Sequence, residues 1–378
     1  MPIYDQGYQH WNGQLSGHGW RWLAITRHGV LASMKSRLLR IVLMSSWAPA
    51  LALAAFLCMW GLLERGNSAV RTIMQFLVYM NPGMAADPRH YRVAIWTLAY
   101  HFFLGTELYF CMALILLVGP NLISQDLRFN ALPLYFSRPL RRMDYFLGKL
   151  GVIVAFLVFI VIGPSIAAYI LGLLFSLDIT ILRDTFGLLL AAIGYGVVLA
   201  LSAGSLMLAL STRSRNSRYV MLMWVAIWLI SGITTDILQF ANTQQRRQAY
   251  FNQVMAADNL PTHPTTEMSR DYYRRRRAAR EQAMDEFRMA ELAASTRDWR
   301  GVVSYVGDLS RIERSMIGSD DAWRVLSMLD PPAERPHFLA NALGTQFPWY
   351  WSAAVLAALA GLSAATLHFS IRSLDRLR

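Results

Sequence analysis

Glu107 and His101 are the residues whose chemistry stands out, because both fall inside one apolar run, 93–118. An ionised carboxylate in hydrocarbon costs about 2.5 kcal/mol or more, so such a group faces a bundle interior or a wet cavity. At about 100° per residue, the spacing puts the two on different faces of a helix, so they are not a local pair. Two uses are open to Glu107: lining a substrate path, or hydrogen-bonding a neighbouring helix as a protonated acid. Other reactive patterns are sparse. Gly148-Lys149 is the sole Gly-Lys pair and lacks the P-loop spacing, so no phosphate cradle is expected and ATP hydrolysis is not expected on this chain. There is no His-Glu-x-x-His, and no metal site is expected. Gly163-Pro164-Ser165-Ile166 superficially resembles the Gly-x-Ser of an intramembrane protease, but the nearest base in a later run, His368, falls near the opposite face. Pro164 more simply kinks its helix. Cys58 and Cys111 sit in apolar runs and read as small apolar residues.

The elements that must hold these residues follow from composition. Of 378 residues, 55% are hydrophobic and only 16% charged, with a mean hydropathy of +0.31. Soluble domains run nearer a quarter charged, so a disordered chain is excluded and an ordinary soluble enzyme argued against. Crossing a bilayer takes about 20 apolar residues. Six runs qualify: Ile41–Leu63, Val93–Val118, Leu150–Leu174, Phe186–Leu210, Tyr219–Leu238 and Trp349–Ile371. They are continuous and far longer than the alternating strands of an outer-membrane barrel. The expected fold is therefore an all-α polytopic membrane protein with six transmembrane helices. Ala192, Gly196, Ala200 and Gly204, and likewise Ala353, Ala357, Gly361 and Ala365, form small-residue stripes that let helices pack closely.

The net charge of +12 comes from 34 Arg and 2 Lys against 24 acids. Sixteen of the basic residues lie in the N-terminal segment, the connections after the second and fourth runs, and the C-terminal tail; five lie in the opposing short connections. The basic side should be cytoplasmic, with both termini there. Met1-Pro2-Ile3-Tyr4-Asp5 shows no signal-peptide pattern. Residues 1–40 read as a cytoplasmic segment with an amphipathic interfacial helix, since Leu23, Val30, Met34, Leu38 and Ile41 recur at helical spacing among Arg27, Lys35 and Arg40. Residues 41–238 carry the first five spans. Residues 239–348, nearly neutral with 15 Arg and 14 acids, read as a small helical extracytoplasmic insertion with helices near Ser269–Ala294, Gly301–Ile317 and Asp320–Leu329. Residues 349–378 give the sixth span and a basic tail. Neighbouring acids balance the Arg274–Arg277 run, so it reads as a solvated helix face and no nucleic acid is expected.

The connector 119–149 departs from an ordinary turn. It alternates charge with large apolar residues, offering both a sticky and a soluble face, and such a segment outside the bilayer should dock onto a partner. Ser137-Arg138-Pro139, Gly148-Lys149, six spans and the interfacial helix together resemble the permease subunits of type-2 ATP-binding-cassette (ABC) exporters. Pro133 interrupts the expected coupling helix, and the 239–348 insertion exceeds the usual outer loop. The resemblance implies an exporter permease of the inner (plasma) membrane. It would be driven by a separate ABC ATPase subunit carrying ATP and Mg, paired with a second copy or a related permease, and surrounded by lipid. It also implies that Asp126, Arg128, Leu132, Tyr135, Phe136, Ser137, Arg138 and Pro139 couple to the ATPase. Glu107 and His101, as ionisable residues within a span, are the candidates for lining a path. A non-transporting membrane scaffold or sensor, and an intramembrane enzyme, are the competing readings.

Overall fold

Inside a bilayer every backbone N–H and C=O must be satisfied within the chain, so long apolar runs wind into helices. The structure, a computed structural model, describes residues 20–66, 82–132, 141–176, 179–257, 298–332, 334–343 and 347–375, with single positions between them. It is all-helical, with no strand among the described residues. Six helical stretches are long and apolar enough to cross a membrane: Arg37–Glu64, Arg92–Arg128, Met143–Ser176, Thr180–Ser211, Ser217–Tyr250 and Trp349–Ser370, here spans one to six. The protein is thus a multi-pass integral membrane protein. Its two ends are called here the basic end, where the Arg-rich connections gather, and the insertion end.

Helix α1 (Arg21–Ser33) precedes span one, which is built from α2 (Arg37–Ser45) and α3 (Trp47–Glu64). Ser36 caps α2 by accepting from Leu39 N. Span two is α4 (Arg92–Val118) followed by α5 (Pro120–Arg128), with the proline at the first position, where a missing N–H costs nothing. Span three runs through α6 (Arg142–Leu157), a π-helical segment Val158–Ile162 and α7 (Gly163–Ser176), so the wide turn immediately precedes Gly163-Pro164. Spans four and five are α8 (Ile179–Ser211) and α9 (Ser217–Ala257). Span six is the membrane part of a last helix, Trp349–Asp375.

Close approach fixes the packing. A Cβ at Gly61 would lie 3.1 Å from the backbone of Phe175 and Ser176, a tight contact, so glycine there favours the close approach of spans one and three. Helix α1 packs along α6, where Thr26 Oγ1 donates to Gly148 O at 3.0 Å. Its exposed face carries Trp20, Leu23 and Leu31. Spans five and six bury only 17% and 22% of their apolar windows, against 56% for span two. Span two is central; spans five and six are peripheral and show apolar side chains such as Leu222, Ile230 and Leu362 outward.

Between spans five and six, a 3₁₀ turn (Trp299–Val303) leads into α10 (Tyr305–Ile317), α11 (Ser319–Ser327) and α12 (Arg335–Leu343). Ser304 caps α10 at its start, and Gly318, at φ 74°, ends it in the left-handed region that glycine adopts freely. The limits of α10 and α11 fall close to those expected from sequence; residues 269–294 lie largely outside the described residues. The sequence predicts that this insertion stands outside the membrane. Helix α10 packs against spans two, four, five and six, with Leu309, Ile312 and Ile317 buried. Helix α11 lies on span two, with Ala322 against Ala94 and Leu98, and Trp323 edge-on to Phe102.

Candidate functional site

Among the described residues, two polar clusters hold the residues singled out from the sequence. The first is the elbow at the basic end. Helix α5 starts with N–H groups that have no partner within the helix. Buried Ser211, the last residue of α8, accepts from Ile123 N at 3.2 Å and Ser124 N at 3.0 Å, and donates to Pro120 O at 3.1 Å. Asp126 accepts from Tyr145 Oη at 2.7 Å and pairs with Lys149 Nζ at 2.7 Å. The Lys149 ammonium lies over the rings of Tyr135 and Tyr145. Span two is thereby bolted to the start of span three through charged and aromatic groups.

The expected coupling residues divide accordingly. Asp126 and Leu132 turn inward: the first is held by Tyr145 and Lys149, the second is buried. Tyr135 is half-buried against Tyr145; burial, then the Asp126 charge, pushes its phenol above the ordinary value. Arg128 and Phe129 are exposed, Phe129 at 73%. Asn130 follows at φ 50°, turning the chain away from α5. Phe136, Ser137, Arg138 and Pro139 lie outside the described residues.

The second place lies inside the bundle. His101 Nδ1 is 3.1 Å from both carboxylate oxygens of Glu313, which is 1% exposed. Sequence spacing alone leaves His101 without a partner; the partner comes from α10, 212 positions on. Burial pushes the Glu313 carboxyl above its ordinary range, opposed by the His101 hydrogen bond and charge and by Arg314. On the same helix, Asp308 accepts from Ser352 Oγ of span six at 2.7 Å. Burial pushes Asp308 up to about 7, against the lowering effect of that bond. Glu107 is also 1% exposed, and neither of its oxygens has a hydrogen-bond partner among the described residues. Tyr195 of span four lies within electrostatic reach of Glu313 and Cys111, and its buried hydroxyl is likewise unpartnered there. His101 and Glu107 are thus separated on span two, as their spacing requires: α10 supplies a partner for His101, and Glu107 is buried without one among the described residues.

The sequence reading missed Asp308, Glu313 and Tyr195. A signal exists for α10: Tyr305, Leu309, Ile312 and Met316 recur at helical spacing between a serine cap and Gly318. What that stripe faces is a tertiary fact. Ser165 Oγ donates to Val161 O at 2.6 Å, and Tyr100 Oη donates to Ser165 O, so this serine is engaged with backbone and is fully buried. Among the described residues no three His, Cys, Asp or Glu side chains gather to hold a metal ion. Compared with models of known protein families and with curated proteins, the chain matches none.

Proposed function

We propose that this chain is the permease subunit of an ABC exporter, moved by a separate ATPase subunit that docks at the elbow after span two. The observation that carries this reading is the elbow itself. A push on Arg128 and Phe129 passes through the Asp126–Tyr145–Lys149 contacts into spans two and three and through Ser211 into span four. Aromatic residues and arginine are the types enriched at docking interfaces. The excess of positive charge supports a cytoplasmic elbow and cytoplasmic termini in a plasma (inner) membrane. The outward apolar faces of spans five and six support pairing with a second copy or a related permease. Helix α10, lodged among spans two, four, five and six, supports a gate at the insertion end, with the buried polar group along the path.

The test is co-purification of the ATPase with elbow variants, with transport assayed alongside. Phe129→Ala, Arg128→Ala and Arg138→Ala should each insert normally, because insertion depends on the untouched spans. A true hot spot contributes about 2 kcal/mol, so at least one variant should bind the ATPase about 30-fold more weakly. If all three bind and transport like the parent, the elbow is not the coupling element and the reading falls.

A further inference from the structure

A pocket of about 240 Å³ opens at the basic end, between the elbow, the connection after span four and the end of span six. Its lining is of two kinds. Leu127, Leu132 and Phe146 form an apolar wall, while Arg213, Ser214 and Arg215 supply polar groups. Both arginines are exposed, and neither guanidinium pairs with a carboxylate among the described residues. The acid bonded to Tyr145 at this pocket, Asp126, is already occupied by Lys149. Two cations therefore stand beside apolar surface with no carboxylate partner among the described residues.

The position of the pocket narrows what would neutralise them. Arg213 lies two positions after Ser211, the last residue of span four, and Ser370 ends span six with its hydroxyl 3.5 Å from Thr212 Oγ1. Two apolar stretches finish at this level, so in a bilayer that they cross the pocket would face the headgroup region. A phosphate diester suits the cations, because guanidinium forks bind its oxygens in a bidentate way. The adjoining apolar wall suits the start of an acyl chain. A protein helix about 10 Å across does not enter a space of this size.

We propose that this pocket is a binding site for an anionic phospholipid, with Arg213 and Arg215 on the phosphate and the first carbons of an acyl chain on Leu127, Leu132 and Phe146. The bound lipid would bridge the elbow to the ends of spans four and six. Basic pockets between membrane helices hold headgroups by this combination of charge and burial. The site does not depend on the exporter reading, since it needs only the charge, the wall and the level in the membrane.

The experiment uses the full-length protein in detergent, offered phosphatidylglycerol or phosphatidylcholine with the same acyl chains, with retained lipid read by native mass spectrometry. The parent should retain phosphatidylglycerol in preference to phosphatidylcholine. Arg213→Ala with Arg215→Ala should weaken that retention about tenfold, and Arg218→Ala, an exposed arginine outside the lining, should leave it unchanged. Should the double alanine variant fail to insert, Arg213→Lys with Arg215→Lys gives the same reading, a smaller loss from keeping charge without the fork. Glycerol 3-phosphate, which has the anion and no chain, should not displace the lipid. Equal retention of the two lipids, unchanged retention in the double variants, or displacement by glycerol 3-phosphate overturns the proposal.

Discussion

Glu107 shows what a single buried residue implies. Its carboxyl is withdrawn from water, with no hydrogen-bond partner among the described residues. Such a group costs about 1–3 kcal/mol relative to an apolar residue of similar shape. Glu107→Met should therefore raise the thermal stability of the purified protein, while lowering transport if Glu107 lines the path. A more stable variant that transports like the parent would retire the pathway role. Asp308 yields a pH prediction. Its folded value, about 7, stands above the ordinary 3.8, so between these limits the folded state holds a proton that the unfolded state has released. Its stabilising contribution is present below about pH 4 and is lost as pH rises through 7. Asp308→Asn keeps an acceptor for Ser352 and removes the titration. Melting curves at pH 5 and pH 7.5 should show the variant gaining on the parent at the higher pH, by on the order of a few degrees. An equal difference at both pH values would mean that Asp308 does not titrate in this window.

Elements are joined here by a few buried polar contacts, and these give the sharper stability tests. Arg92 donates from Nε to Glu64 at 2.9 Å and from Nη1 to Thr180 Oγ1 at 3.3 Å, tying spans one, two and four together at the insertion end. Both charged side chains are almost fully buried. Removing one partner leaves the other charge unpaired, a loss of about 3–5 kcal/mol, whereas replacing both with apolar residues is far milder. Arg92→Ala should thus lower the melting temperature more than Arg92→Met combined with Glu64→Leu. The reverse order would show that this pair is wet and contributes little. Helix α10 is held by the same logic: Glu313 by His101, Asp308 by Ser352, and Arg311 by Asp320 and the Phe347 carbonyl. Each of its charges that reads as solvated in the sequence has a partner in the fold.

For the whole molecule, the orientation is the quantity that charge alone assigns. Cysteines placed at Ser214 and Ser373 should be shielded from a membrane-impermeant thiol reagent in intact cells, and one at Ser269 should be labelled, because the basic side carries sixteen positives against five. Labelling at Ser214 without labelling at Ser269 would reverse the assignment and move the proposed docking elbow outside. The native Cys111 is buried and Cys58 half-buried, so both leave the readout clear.

By itself the sequence determined that the chain is helical, that it has six membrane-length apolar stretches, and that two short helices follow at 301–317 and 320–329, although α10 starts at Tyr305 and α11 ends at Ser327. Those features depend on local quantities: run length against bilayer thickness, helical periodicity, a proline stop. It also made the 119–149 connector stand out, since large apolar residues in a loop are a local anomaly. Only the tertiary structure decided that α10 enters the bundle, that His101 meets Glu313, and that Asp126 faces inward to Tyr145 and Lys149. A short helix bearing Asp308, Arg311, Glu313 and Arg314 looks soluble because hydropathy assigns each charge the cost of an unpaired one. That cost falls when a partner is supplied, and the partner of Glu313 lies 212 residues away, beyond the reach of any pattern in the chain.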